Sequence, residues 1–252
     1  MFNQEIINEI NSVAGFLDIE AAALLAVSEV ESGGKAYARV EGRDEPLIRF
    51  EGHYFDRRLS AEKRAKARAL GLSAPVAGVV ANPRAQEARW RMLARAAAID
   101  RKAAYESVSW GIGQVMGAHW AWLGYGTVDA LVAEARSGVA GQVRLMARYI
   151  DKAGLAASLR TRDWTAFARG YNGSGYRGNA YHTRLAAAYE RYRTSPPVPG
   201  AATPADSLPP ADQSRPTERE ISPSVALPGR PPESRGAISS LWSGLKGLFA
   251  RS

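Results

Sequence analysis

A carboxylate on the apolar face of a short helix is the first group in this chain whose placement could do chemistry. The segment 18–34, DIEAAALLAVSEVESGG, is rich in Ala and Leu, both strong helix formers. Asp18 reads as its N-cap, since its side chain can accept from the open N–H groups of a first turn. Gly33 and Gly34 read as its stop, because glycine takes the left-handed conformation of a helix end at little cost. At about 100° per residue, Leu24, Val27 and Glu31 share one face, and Glu29 points away beside Leu25. Burial disfavours the charged form of Glu31, and so does the negative end of the helix dipole. Both raise its pKa. A carboxylic acid still protonated near neutral pH can protonate a leaving oxygen, as cleavage of a glycosidic bond requires. A surface glutamate before a helix-ending glycine fits the same pattern, so the rest of the chain must decide.

The elements that would position Glu31 follow in order. Residues 3–13 read as a first helix. Tyr37 to Glu41, a turn at 42–44, and Pro46 to Phe55 read as a β-hairpin. In its second strand, alternation puts Leu47, Arg49, Glu51 and His53 on one face and Ile48 and Phe50 on the other. Ser60 begins a helix with a basic solvated side. Asn82-Pro83 reads as a cap followed by proline at the first helical position, opening a helix to about Asp100 that buries Trp90, Leu93 and Ala97. The stretch 105–122, YESVSWGIGQVMGAHWAW, is rich in glycine and aromatic residues. Helices are expected at about 127–136 and 138–153, then a short one capped by Asp163 and ending at Tyr171-Asn172-Gly173, and a last one at about 179–193. The expected fold is thus mainly α with a small β-hairpin.

Composition narrows the function. The chain has 252 residues, 46% of them hydrophobic, and no cysteine, which excludes disulfides and thiolate metal sites. The three histidines lack the spacing of a zinc motif, phosphate-loop and dinucleotide fingerprints are absent, and no cofactor is expected. The net charge is +8; residues 1–193 carry 27 of the 33 basic and 20 of the 25 acidic groups. Such a surface suits a polyanion: nucleic acid, an anionic membrane or an anionic cell wall. No groove-reading helix or stacking code points to nucleic acid. Most of the 14 prolines fall in 194–236, which reads as a disordered linker between a folded domain, 1–193, and a C-terminal segment, 237–252. In that segment Ile238, Leu241, Trp242, Leu245, Leu248 and Phe249 follow a helical period with Lys246 and Arg251 as the only charges. It reads as an amphipathic helix suited to an anionic membrane surface, or to docking on the domain or a partner. The N-terminus lacks the pattern of a signal peptide, so the expected location is cytoplasmic until release to the periplasm or wall.

Three pieces stand together in order: VSEVESGG, SWGIGQVMG and FARGYNGSGY. They resemble the ES, GLMQ and YN motifs of the lysozyme superfamily, in lytic transglycosylases and goose-type lysozymes. With RFEGHYF and SWGIGQVMGAHW, the chain resembles more closely the N-acetylmuramidase family of phage endolysins, over about Ile19 to Tyr192. The resemblance implies an α+β lysozyme-like fold. It makes Glu31 the catalytic acid and Gln114 the glutamine lining the sugar cleft, with Gly111 and Gly113 admitting the substrate to the backbone. It makes Tyr171 and Asn172 the pair beside the acid. Trp110, Trp120 and Trp122 become candidate sugar platforms. Two departures stand out: about eighty residues separate Glu31 from Gln114, more than in the transglycosylases, and the motif reads GIGQ.

The expected reaction is hydrolysis of the β-1,4 bond between N-acetylmuramic acid and N-acetylglucosamine in peptidoglycan, by a monomer that lyses bacterial cells. A hydrolase needs a second carboxylate or a positioned water across the ring. Glu51 is the first candidate, with a salt bridge to Arg49 as its competing role. Glu106 is second, and Asp44 and Glu45 are weaker. Without a second carboxylate, a lytic transglycosylase leaving 1,6-anhydro ends is the alternative. A non-enzymatic basic module binding wall polymer or nucleic acid, and a secreted toxin of the same chemistry, are the other readings.

Overall fold

The computed structural model describes residues 2–194; the linker and amphipathic helix expected beyond them lie outside the described residues. The chain opens with α1 (Gln4–Ala14), whose N-cap Asn3 accepts from the Ile6 N–H, and a short 3₁₀ turn. Then comes α2 (Ala21–Ser32), buried on nearly every side. Gly33, at φ 65°, ends it with its N–H on the Glu29 carbonyl. Asp18 does not cap α2: it is left-handed (φ 49°) and closes the preceding turn. The N-cap is Glu20, which has no side-chain cap bond of its own and accepts instead from the Tyr189 hydroxyl.

The expected hairpin is shorter than its sequence pattern. β1 (Tyr37–Val40) and β2 (Arg43–Pro46) pair antiparallel around Glu41-Gly42, both at positive φ as a tight two-residue turn requires. The chain then leaves that sheet. β3 (Ile48–Phe50) belongs to another, and Gly52–Arg58 is a helix, α3. The strand predicted to Phe55 therefore stops at Phe50, because the Glu51 carbonyl accepts from Tyr54 and Phe55 and starts a helical turn. α4 (Ala61–Ala69) begins at Ser60 as expected. α5 (Gln86–Ala97) starts later than Asn82-Pro83, because the Asn82 side chain is used elsewhere. After α6 (Arg101–Glu106) come β4 (Val108–Trp110) and β5 (Val115–Met116), giving a three-stranded antiparallel sheet in the order β3-β4-β5. The chain closes with α7 (Val128–Arg136), α8 (Val139–Lys152), α9 (Ala156–Arg160), α10 (Trp164–Asn172) and α11 (Tyr181–Arg193).

Among the described residues, the outer edge of β3 has no strand beside it. Asn82 stands in for one: its Oδ1 accepts from the Phe50 N–H at 2.9 Å and its Nδ2 donates to the Phe50 carbonyl at 2.7 Å. One turn along, Gln86 Oε1 accepts from the Ile48 N–H and Arg89 donates to the Ile48 carbonyl. Buried backbone groups must be paired, and side chains do it here.

Two hydrophobic cores result. One is built by α1, α2, α8, α10 and α11, with Ile10, Leu24, Phe167 and Leu185 fully buried. The other is built by β3, β4 and the helices from α3 to α7, with Phe50, Phe55, Leu93 and Trp110 inside. The β4–β5 turn passes from one to the other: Trp110 lies in the second core and Ile112 in the first. Tyr149 of α8 packs against both. The fold is α+β and lysozyme-like, and the site sits where the cores meet.

Candidate active site

Glu31 occupies the last turn of α2 and is 4% exposed. The apolar side chains of α2 and α11 close around it because both helices turn their hydrophobic faces to the first core. The Tyr181 hydroxyl, at the start of α11, donates to Oε1. Oε2 is buried and makes no hydrogen bond. Burial pushes the carboxyl up from 4.5 to about 7, with the Tyr181 hydrogen bond and the Arg184 charge pulling weakly the other way. Arg184 also donates to the Val30 carbonyl at 3.1 Å, tying α11 to the end of α2. The result is an acid half-protonated near neutrality, with one oxygen fixed and the other free to carry the proton. Glu29 plays no part in this: it accepts from Tyr192 and Arg191 on the other side of the helix.

Tyr171 ends α10. Its ring lies parallel to Phe167 at 5.2 Å, and its hydroxyl donates to the Gly113 carbonyl at 2.7 Å. Burial, then the neighbouring Glu31 charge, hold its pKa well above 10, so it stays neutral. The next residue, Asn172, has a buried Nδ2 without a hydrogen-bond partner. Tyr171 thus joins the Glu31 side of the site to the GIGQ turn. There Gln114, at φ 48°, folds back so that Nε2 donates to the Gly111 carbonyl at 2.7 Å, and its Oε1 is left unpartnered. The glycines of this turn allow close packing from behind. A Cβ on Gly111 would lie 2.9 Å from Gln142 Cγ, and one on Gly113 would lie 2.6 Å from Met146 Cβ. Gln142 uses the approach, accepting from the Ile112 N–H at 2.9 Å. Glycine here lets α8 grip the turn from behind.

Glu51 lies just past β3, 5% exposed. Arg49 donates to Oε1 at 2.6 Å, and His53 Nδ1 stands 3.6 Å from Oε2. Burial raises the Glu51 pKa and the Arg49 charge opposes it. His53 is also buried, neither ring nitrogen makes a hydrogen bond, and burial followed by the charges of Arg57, Arg49 and Arg58 keeps it neutral. The other candidate carboxylates are committed. Glu106 accepts from Trp120 and Lys102 and faces Arg58. Glu45 is paired with Arg136, and Asp44 with Arg39.

Trp110 is not a platform. It is fully buried in the second core, with its indole N–H on the Tyr105 carbonyl. Trp120 is half-buried and held by Glu106, while Trp122 is 37% exposed. The structure therefore gathers Glu31, Tyr171, Asn172 and the Gln114 turn, sets Glu51 between β3 and α3, and removes Trp110. Tyr181 and Arg184 were missed from sequence. Tyr181 extends the apolar stripe of Leu185, Ala188 and Tyr192 by one turn, and a polar tip on that stripe was the available signal.

Comparison with known proteins settles the relationship. The N-acetylmuramidase family model matches residues 20–193. The chain belongs to the N-acetylmuramidase family. This muramidase is also similar to the crystal structure of Burkholderia AP3 phage endolysin: TM-score 0.65, 34% sequence identity, 75% of this chain and 71% of that one. A comparison with curated protein sequences finds no match. The muramidase is accordingly a glycoside hydrolase acting on peptidoglycan, as its family implies.

Proposed function

We propose that this muramidase is an endolysin that cleaves the β-1,4 bond between N-acetylmuramic acid and N-acetylglucosamine, with Glu31 as general acid. The observation that carries the reading is the buried Glu31 carboxyl, raised to about 7, with one oxygen held by Tyr181 and the other uncommitted. Glu31 protonates the leaving oxygen as positive charge develops on the sugar ring. That Asn172 Nδ2 and Gln114 Oε1 have no partner supports a role for both side chains in holding amide or hydroxyl groups of the substrate. Tyr171 holds the turn that presents Gln114. Glu51, through its Oε2, activates water or shields the ring charge from the opposite side.

Mass spectrometry of fragments released from purified peptidoglycan tests this. Reducing N-acetylmuramic acid ends, lost in Glu31→Gln, are expected. The Arg49–Glu51 ion pair favours a second reading, because it ties up one oxygen of the remaining carboxylate: lytic transglycosylation, with 1,6-anhydro ends as its product. No release from the unmutated protein would leave a basic binding module in front. In the biological setting, the chain waits in the cytoplasm as a monomer until a membrane lesion admits it to the wall, and the net charge of +8 draws it to anionic polymer. The 237–252 segment then contacts an anionic membrane. Its deletion should reduce both liposome binding and lysis of intact cells; if neither changes, that role is wrong.

A further inference from the structure

Beyond the acid, one run of rings continues to the surface. Tyr149 packs edge-on against Tyr171, with centroids 5.3 Å apart. On its other side it meets His119 at 5.5 Å and Trp122 at 5.6 Å, and those two touch each other at 5.7 Å. Trp122 ends the run with 37% of its surface open, and neither neighbour is stacked parallel on it. The backbone beneath it is fixed: Leu123 donates to the His119 carbonyl at 2.8 Å, and Tyr125 to the Trp120 carbonyl at 2.9 Å. Burial, then the Arg58 charge, lower the His119 pKa, and the Arg58 guanidinium lies 5.3 Å over Tyr54, whose ring touches His53 beside Glu51. The run of rings from Tyr171, beside Glu31, therefore ends at Trp122. A lone exposed aromatic means little. One locked in place at the end of a run that starts at the catalytic acid is different.

We propose that Trp122, supported by His119 and Tyr149, is a platform for a pyranose ring of the glycan strand, away from the bond that is cut. A β-1,4-linked sugar presents its axial C–H bonds on one face and its equatorial polar groups at the rim. A flat, immobile indole covers that face and leaves the rim to water, with little entropy lost on binding. Trp110 and Trp120 cannot do this, the first being buried and the second bonded to Glu106 and facing Lys102. The inference rests on the muramidase reading above and adds the place where a long strand is gripped.

The test uses the full chain carrying Glu31→Gln, titrated calorimetrically with the β-1,4-linked N-acetylglucosamine hexamer and dimer. Trp122→Ala should weaken the hexamer about tenfold and the dimer by less than about twofold, and Trp122→Phe should restore most of the loss. On purified peptidoglycan, with Glu31 present, the loss should fall on KM rather than kcat. Hexamer affinity unaffected by Trp122→Ala, equal weakening of both oligomers, or no hexamer binding at all would overturn the platform. The two readings fail separately. Hexamer binding that depends on Trp122 without muropeptide release removes the reaction and keeps the platform. Peptidoglycan cleavage at an unaltered KM in Trp122→Ala removes the platform and keeps the reaction.

Discussion

Replacing Glu31 with Gln should abolish activity and, above neutral pH, stabilise the protein. The carboxyl is raised from 4.5 to about 7 by burial. Between those values the folded state holds a proton that the unfolded state has released, so stability falls as pH rises. The contribution is fully present below about pH 4.5 and is lost through pH 7. A shift of that size corresponds to about 3 kcal/mol. Gln has no such ionisation. Its Oε1 can still accept from Tyr181, while its amide N–H groups replace an Oε2 that has no partner, at a pH-independent cost of about 1 kcal/mol. The informative quantity is therefore the change with pH. Urea unfolding of both proteins from pH 4.5 to 8.5 should show Glu31→Gln gaining about 3 kcal/mol relative to the parent across the range, a shift of several degrees in Tm. Parallel stability curves for the two proteins would mean that Glu31 is not buried as an acid, and the mechanism would lose its basis.

Three further outcomes follow from the same geometry. The Tyr181 hydrogen bond favours the ionised carboxylate, so Tyr181→Phe should move the alkaline limb of the pH–rate profile upward by about one unit from near 7; a limb that stays put excludes Glu31 as the titrating acid. Glu51→Gln keeps the acceptor for Arg49 and removes the charge, and should lower kcat on peptidoglycan by about 10²-fold or more if Glu51 acts on water or on ring charge; near-parental turnover with anhydro products would assign the enzyme to transglycosylation. Asn82→Ala strips both partners from the Phe50 backbone and should cost about 2 kcal/mol or more by chemical denaturation, whereas a cost near zero would show that water reaches the β3 edge.

The sequence pattern located the longer helices through their apolar periodicity and, at several, a local cap: Asn3, Ser60, Thr127 and Asp163 all accept from the first turn they precede. It failed where a side chain serves a distant backbone. Asn82 before a proline looks like a helix cap, and only the fold shows it 32 positions away from Phe50, closing a strand edge. Alternation also carried the strand from Pro46 through to Phe55, since Arg49, Glu51 and His53 keep a period of two in a segment that becomes helical at Gly52. What separates strand from helix there is the pairing of β3 with β4, a contact between residues some sixty positions apart.

The site divides along the same line. Glu31 was legible because a helix has a fixed period, and one acidic residue at the phase of Leu24 and Val27 must enter the core they enter. Its environment was not, because the groups that tune it, Tyr181 and Arg184, come from α11, more than a hundred residues later. The same separation explains why the aromatic residues of 105–122 could not be sorted in advance. Trp110 alternates inward on a strand whose two faces are both covered, so its ring fills the core against Trp90 and Tyr105. Trp122 comes after the strand, on a turn that no second layer covers among the described residues, and so keeps an open face. Residue type is identical at the two positions; the layer above each one decides between packing and binding. A muramidase of this form therefore needs both cores. One desolvates Glu31, the other carries Glu51 at the junction of β3 and α3, and the glycine turn clamped by Gln142 and Tyr171 holds the two in register. Loosening that clamp should impair catalysis before it unfolds either core.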